Sequence, residues 1–180
     1  MIRVARREDT GAMLEIYAPF VRDTAVSLEY EPPTPEVFAA RFDRITRQYP
    51  WLVWEEDGRV LGYAYADRAL ERTAYQWDAD VSIYMAGDAR HTGAAHQLYS
   101  RLESLMGELG YCNLYALITA GNADSRRFHE RRGYRLEGVL RRSGFKFGQW
   151  HDVCWYALSL NGDGAPEGEP RLFEPAMMGN

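Results

Sequence analysis

One segment constrains the fold more than any other. A strand-like run from Asp80 to Ala86 enters a polar, Gly-bearing turn and continues into a helical pattern with Ala94, Leu98, Leu102, Leu105, Met106 and Leu109 on one face. Gly110 closes that helix. A strand that feeds a long amphipathic helix needs a sheet to join and a sheet face to cover, which places the chain among mixed α/β architectures. The turn itself, Arg90-His91-Thr92-Gly93-Ala94-Ala95, offers unpaired backbone N–H groups and the positive end of a helix dipole. Gly93 removes a side chain where a phosphate has to come close, Ala94 and Ala95 keep the entrance narrow, and Arg90 and His91 add positive charge. Taken alone, the same turn also reads as an ordinary strand-to-helix connection with a convenient small residue.

The remaining chain supplies the sheet and its covers. Ile2 to Ala5 alternates as a strand, and Asp9 or Thr10 caps a helix carrying Met13, Ile16, Tyr17, Phe20 and Val21, which Pro19 is expected to bend or end. Thr34 and Pro35 open a second helix that buries Phe38, Phe42 and Ile45. Trp51 to Glu55 and Val60 to Ala66 flank Asp57-Gly58, a hairpin signal. After the long helix come a strand at Cys112 to Ile118, a short helix at Asn122 to Arg132 closed by Gly133, and strands at Tyr134 to Leu140 and Val153 to Leu160. The expected fold class is α/β (α+β): a mixed, mostly antiparallel central sheet flanked by helices.

A chain of 180 residues holds one substantial core, so a single domain over residues 1–160 is expected. Residues 161–180 read as a Gly/Pro-rich tail whose first part cannot build a core, with docking of Leu172, Phe173 and Pro175 as the lesser reading. No apolar run approaches the roughly 20 residues that span a bilayer, and the N-terminus lacks the apolar stretch of a secretory signal. A cytoplasmic protein without membrane association follows as the expectation. The formal net charge of -5 argues against nucleic acid, which needs a basic surface. Arg126, Arg127, Arg131, Arg132, Arg135, Arg141 and Arg142 nevertheless crowd one region, either as a solvated face or as the partner of a small polyanion. Cys112 and Cys154 sit in apolar runs with no ligand spacing, so buried thiols are expected and no metal.

Arg90-x-x-Gly93-x-Ala95 between a strand and a long helix, followed by Asn122-x-x-Ser125 and Gly133-Tyr134, resembles the two cofactor-contacting motifs of the GNAT superfamily of N-acetyltransferases. Tyr49-Pro50-Trp51-Leu52-Val53, Ala74-Tyr75-x-Trp77 and Gly144-Phe145-Lys146-x-Gly148-x-Trp150-His151-Asp152-Val153 are similar to the phosphinothricin N-acetyltransferases, and this likeness spans about residues 2 to 160. The resemblance implies the GNAT fold, acetyl-CoA as co-substrate, a small-molecule amine acceptor and a homodimer.

It also implies roles. Tyr84, Met85, Arg90, His91, Thr92, Gly93, Ala94, Ala95, Asn122 and Ser125 would contact the cofactor, with backbone N–H groups near Tyr84 to Ala86 facing the thioester oxygen. His129 and Asp80 would be the catalytic pair, although the family usually has Glu at the second position. Arg72, Tyr75, Leu28 and Lys146 would border the acceptor, with Leu28 and Leu70 standing where an aromatic and a lysine are expected. The distinctive run around Lys146, Trp150 and His151 would shape the acceptor pocket, with His151 as a second acid or base. Tyr99, Tyr84 and Trp77 would line that pocket or lie in the core. His96 stands where a small residue is expected and would crowd a phosphate or bind it.

These residues point to acetyl transfer onto the α-amino group of a phosphinothricin, methionine sulfoximine or methionine sulfone type of acceptor. Two other readings stay open at this stage. The acceptor is a protein N-terminus, polyamine or aminoglycoside, or the chain is a degenerate module that binds acetyl-CoA without turnover.

Overall fold

The computed structural model describes residues 1–89, 93–162 and 164–178; Arg90, His91 and Thr92 of the anion loop lie outside the described residues. Seven strands form one sheet in the order β1-β2-β3-β4-β5-β7-β6. The strands are β1 (Ile2–Val4), β2 (Trp51–Glu56), β3 (Arg59–Arg68), β4 (Asp78–Met85), β5 (Asn113–Thr119), β6 (Arg135–Lys146) and β7 (Gln149–Ser159). Only β4 and β5 run parallel; every other neighbouring pair is antiparallel. Among the described residues four α-helices, α1 (Thr10–Asp23), α2 (Pro35–Ile45), α3 (Ala94–Glu108) and α4 (Ala123–Arg131), join the sheet, with short 3-10 turns between elements. No helix among the described residues is long and apolar enough to cross a membrane.

Local chemistry explains the boundaries. The Thr34 hydroxyl accepts from the Val37 N–H at 3.3 Å with Pro35 as first helical residue, so α2 starts where its cap allows. Asp57 and Gly58 both take positive φ, at 48° and 75°, which joins β2 to β3 by the turn that matches strand twist. Gly110, at φ 93°, ends α3 in the left-handed conformation that favours glycine.

Two expectations change. Pro19 does not end α1, which continues to Asp23. Met13, Ile16, Tyr17 and Val21 bury the same helical stripe, and packing on both sides of the proline outweighs its missing N–H. The tail also docks. Gly168 accepts from Trp77 Nε1 at 2.7 Å, the Arg171 N–H reaches the Leu109 carbonyl at 2.8 Å, and the Phe173 N–H reaches the Gln48 carbonyl at 3.0 Å. Phe173 is buried in the core while Leu172 stays exposed. A single aromatic anchor plus three satisfied backbone or indole groups suffices to order a segment whose composition alone favours solvent.

The core lies between α3 and one sheet face, where Leu98, Leu102 and Leu105 meet Leu52, Ala64 and Leu114, and between α1, α2 and the opposite face. That second face is aromatic: Trp51 stacks on Tyr65 at 4.2 Å and Tyr17 meets Tyr84 edge-on at 4.9 Å.

Candidate active site

The site is built on a defect in the sheet. β4 and β5 pair only from Asp78 to Asp80 against Asn113 to Tyr115, although β4 continues to Met85 and β5 to Thr119. Beyond that short contact the strands part, and the ladder on the β5 side of Val81 to Met85 is absent. Unpaired strand groups inside a fold are costly unless something else satisfies them. On its other edge β4 remains fully paired with β3, from Gly62 opposite Met85 to Arg68 opposite Ala79. Gly62 is small for a reason: a Cβ there would lie 2.3 Å from the Met85 sulfur.

Helix α3 follows β4 in the chain, after the 3-10 turn Gly87–Ala89. Gly93 caps it at φ 87°, with no acidic residue in the first turn. Such an end suits an anion. Asn122 caps α4, its side-chain oxygen accepting from the Ser125 N–H at 3.2 Å. His96, in the first turn of α3, leans toward α4: its Nδ1 accepts from Arg132 at 2.7 Å. The Arg132 side chain is 5% exposed and also holds Ser100 and both oxygens of Glu103, while its guanidinium packs on the rings of Tyr99 and Phe128.

Asp80 occupies the last paired position before the strands part, opposite Asp67 on β3. Arg44 neutralises Asp67 through two bonds of 3.0 and 2.7 Å. Asp80 receives no such partner among the described residues, and its Oδ1 is enclosed without a hydrogen bond. Burial first, then the Asp67 charge, push its pKa up to about 7, against a lowering backbone contact from Val81.

The structure does not bring Asp80 and His129 into hydrogen-bonding contact. His129 is 3% exposed and committed elsewhere. Its Nδ1 lies 2.8 Å from the Ser125 carbonyl, which can only accept, so Nδ1 carries the proton. Its Nε2 therefore accepts from the Tyr99 hydroxyl at 2.9 Å. Burial chiefly, with some help from Arg132, lowers its pKa to about 4 against the opposing Ser125 bond. The imidazole is neutral at physiological pH. Asp80 does act at longer range on Tyr99, whose hydroxyl pKa burial holds well above its usual value.

The acceptor-side residues divide. Tyr75 is exposed and, with Leu70, Asp78, Tyr115 and Trp155, lines an open concavity of about 800 Å³. Arg72 precedes the short 3-10 turn Thr73–Tyr75 and is exposed; its carbonyl accepts from the Tyr75 N–H at 2.9 Å, while its side chain has no hydrogen bond or ion pair among the described residues. Leu28 lies on the loop between α1 and α2 and packs over Gly144 of β6. Lys146, expected to border the acceptor, is 2% exposed, and its ammonium donates to the carbonyls of Val21, Thr24 and Ser27 at 2.6, 2.8 and 2.7 Å. All three donors are spent, so no proton of Lys146 faces a ligand. His151 donates from Nε2 to the Lys146 carbonyl at 3.0 Å. Tyr99 is fully buried, and Trp77 is taken by the tail, so neither presents its polar atom to a pocket.

Asp67 escaped the sequence reading, which named Tyr99 only as a residue of the pocket or the core. Asp67 becomes visible only once the β3–β4 register is known, and Tyr99 sits beside the apolar stripe of α3 with a hydroxyl that demands a buried partner. Among the described residues no group of His, Cys, Asp or Glu is arranged to hold a metal ion, and Cys112 and Cys154 are free and buried.

A GNAT acetyltransferase domain model matches residues 2–155. The phosphinothricin N-acetyltransferase of Streptomyces viridochromogenes is 36% identical over 155 residues, 86% of this chain and 85% of that protein. The L-methionine sulfoximine/L-methionine sulfone acetyltransferase of Pseudomonas paraeruginosa is 34% identical over 164 residues, covering 89% of this chain and 94% of its own. The crystal structure of a GNAT superfamily phosphinothricin acetyltransferase from Sinorhizobium meliloti in complex with AcCoA superposes with a TM-score of 0.88 at 33% identity, covering 94% of each chain. The parted strands, the Gly-capped helix and these likenesses agree: the chain belongs to the GNAT acetyltransferases, and is an acyltransferase of the phosphinothricin N-acetyltransferase group.

Proposed function

We propose that this enzyme transfers the acetyl group of acetyl-CoA to the α-amino group of a small amino-acid-like acceptor of the phosphinothricin, methionine sulfoximine or methionine sulfone type. The observation that carries the reading is Asp80: an enclosed carboxylate with a pKa near 7, placed where β4 and β5 begin to part. Acetyl-CoA supplies an activated thioester; the protein's work is to bind, orient and manage protons.

The chain's residues fit those tasks. Gly93 and the first turn of α3, Ala94 and Ala95 included, form the pyrophosphate end, together with Arg90, His91 and Thr92. The unpaired edge of β4 around Tyr84 and Met85 offers main-chain donors to the pantetheine arm, and Asn122 and Ser125 open the second contacting helix. Asp80 takes the proton of the acceptor ammonium, a role for which a pKa near neutrality is matched. The ammonium in turn provides the cation that Asp80 lacks. His129 enters this scheme through Tyr99, as a fixed neutral partner.

Exposed Arg72 favours an acceptor that carries a carboxylate, since a charge-assisted contact is worth about 1.5 to 3 kcal/mol. Tyr75 borders the same side. The assembly that goes with this reading is a homodimer in which the exposed Phe145, Phe147 and Trp150 tip is covered, and light scattering tests it.

The experiment is an acceptor panel with acetyl-CoA, following release of the CoA thiol. Turnover with amino-acid-like acceptors above polyamines, aminoglycosides and N-terminal peptides is expected. Absence of thiol release with every amine in the panel overturns the reading.

A further inference from the structure

The loop of residues 24–34 between α1 and α2 contains no strand or helix, yet two features of the β6–β7 hairpin hold it. A loop of this length pays conformational entropy to stay in one place. The first hold is Lys146. Lysine stems usually run along the surface so that the ammonium reaches water. Here the residue is 2% exposed, and its three protons go to carbonyls of Val21, Thr24 and Ser27. Val21 lies in the last turn of α1 and Thr24 is its cap, so the ammonium also meets the negative end of that helix. Burial keeps the lysine pKa below its usual value, with the charge of Glu29 acting in the other direction.

The second hold is Gly144. A Cβ at this position would stand 2.5 Å from Leu28 Cδ1 and 2.9 Å from Cδ2, so the loop's leucine can seat on the strand only over a glycine. Between these holds the loop is tied to both neighbouring helices. Ser27 Oγ meets the Tyr17 hydroxyl at 2.7 Å, and Glu29 accepts from Tyr17 at 2.8 Å and from Arg41 at 2.5 Å. The Tyr17 ring rests edge-on against Tyr84, and Tyr84 feels the charges of both Asp80 and Glu29. Loop and proton acceptor thus flank one tyrosine on the parting strand.

We propose that Lys146 and Gly144 are positioning residues for acceptor binding: they clasp the loop after α1 so that Leu28 and Glu29 stand at the Asp80 side of the opening. The proposal rests on the acetyl-transfer reading for its kinetic consequence, but the clasp itself is a property of the folded chain. It assigns a separate job to a lysine that touches no ligand: the hairpin sets the loop, and the loop sets the acceptor.

The test uses the full chain with Lys146→Met and, separately, Gly144→Ala. Three quantities are read: acceptor KM and kcat at saturating acetyl-CoA, acetyl-CoA Kd by calorimetry, and amide hydrogen exchange across residues 24–31. The clasp predicts an acceptor KM raised about tenfold, the scale of one lost contact, with acetyl-CoA Kd changed less than about twofold. Exchange accelerates in residues 24–31 and not in α3. An unchanged acceptor KM in either folded variant, or parallel losses for acceptor and cofactor, overturns the proposal. If Lys146→Met does not fold, Gly144→Ala decides alone. If the wild type acetylates nothing, the function reading falls, and the exchange data still judge the clasp: unaltered exchange sinks it, selective acceleration upholds it.

Discussion

The Tyr99 hydroxyl donates to His129 Nε2 at 2.9 Å while the opposite ring nitrogen serves the Ser125 carbonyl at 2.8 Å, so the imidazole has no nitrogen left for a substrate. Three aromatic rings, Tyr99, Phe128 and Tyr134, meet it edge-on at 5.3, 5.3 and 5.0 Å. A neutral imidazole held this way ties α3 to α4. Its folded pKa of about 4 lies below the ordinary 6.5, so the folded state binds fewer protons than the unfolded chain between those values. Stability from this group is full above pH 6.5 and is lost as pH falls toward 4, by about 3 kcal/mol at most. Denaturant unfolding at pH 7, 5.5 and 4.5 is expected to show this loss in the wild type and a smaller one in His129→Gln. Nitrogen NMR of the ring should show the Nδ1–H tautomer and no titration between pH 5 and 8.

Asp80 behaves in the opposite sense. Its folded pKa of about 7 exceeds the ordinary 3.8, so the folded state binds more protons in that window and stability falls as pH rises through it. The uncompensated carboxylate costs up to about 4 kcal/mol at pH 8. Asp80→Asn should therefore melt higher than the wild type at pH 8 and match it near pH 4, while turnover drops by about 100-fold or more and acetyl-CoA affinity stays close to wild type. Equal melting temperatures at both pH values would show that the carboxylate is solvated.

Arg132 links α3 to the end of α4 at a buried point. Arg132→Ala leaves Glu103, whose side chain is 14% exposed, without its guanidinium and removes the contacts to Ser100 and His96. Breaking such a pair costs about 3 to 5 kcal/mol. Equilibrium unfolding in urea should record that loss, and Arg132→Lys should recover little of it because ammonium cannot reproduce the forked contact.

Phe173 anchors the tail. Phe173→Ala should destabilise the chain by about 3 kcal/mol through the lost burial and the cavity left behind. Limited proteolysis is expected to cut residues 161–172 faster in this variant than in the wild type, with acceptor KM unchanged.

Element order was legible because it depends on short-range signals. Asp57-Gly58 fixes a hairpin, Thr34-Pro35 a helix start and Gly110 a helix end, and each does so within a few residues. Gly93 and Asn122 stood out through motifs of fixed spacing, and they cap α3 and α4; Asp80 was named only through the family resemblance. What decided the chemistry was long-range. Asp67 sits opposite Asp80 only because of the β3–β4 register, and Lys146 finds carbonyls more than a hundred residues away. Lys146 also shows why a distinctive run misleads: a charged residue beside Trp150 and His151 looks like a ligand contact until its burial is seen. Docking of the tail was the lesser reading because composition averages over residues 161–168, whereas the buried Phe173 and three hydrogen bonds hold it.

The brief pairing of β4 with β5 makes the sheet resemble two leaves bound along a short spine, with the first four strands in one and the last three in the other. After β7 the chain returns to Leu109 and Gln48, and among the described residues it adds its stitches there. A molecule bound this way has its freedom at the fore-edge, so a guest slipped between the leaves acts as a wedge and leaves the spine shut.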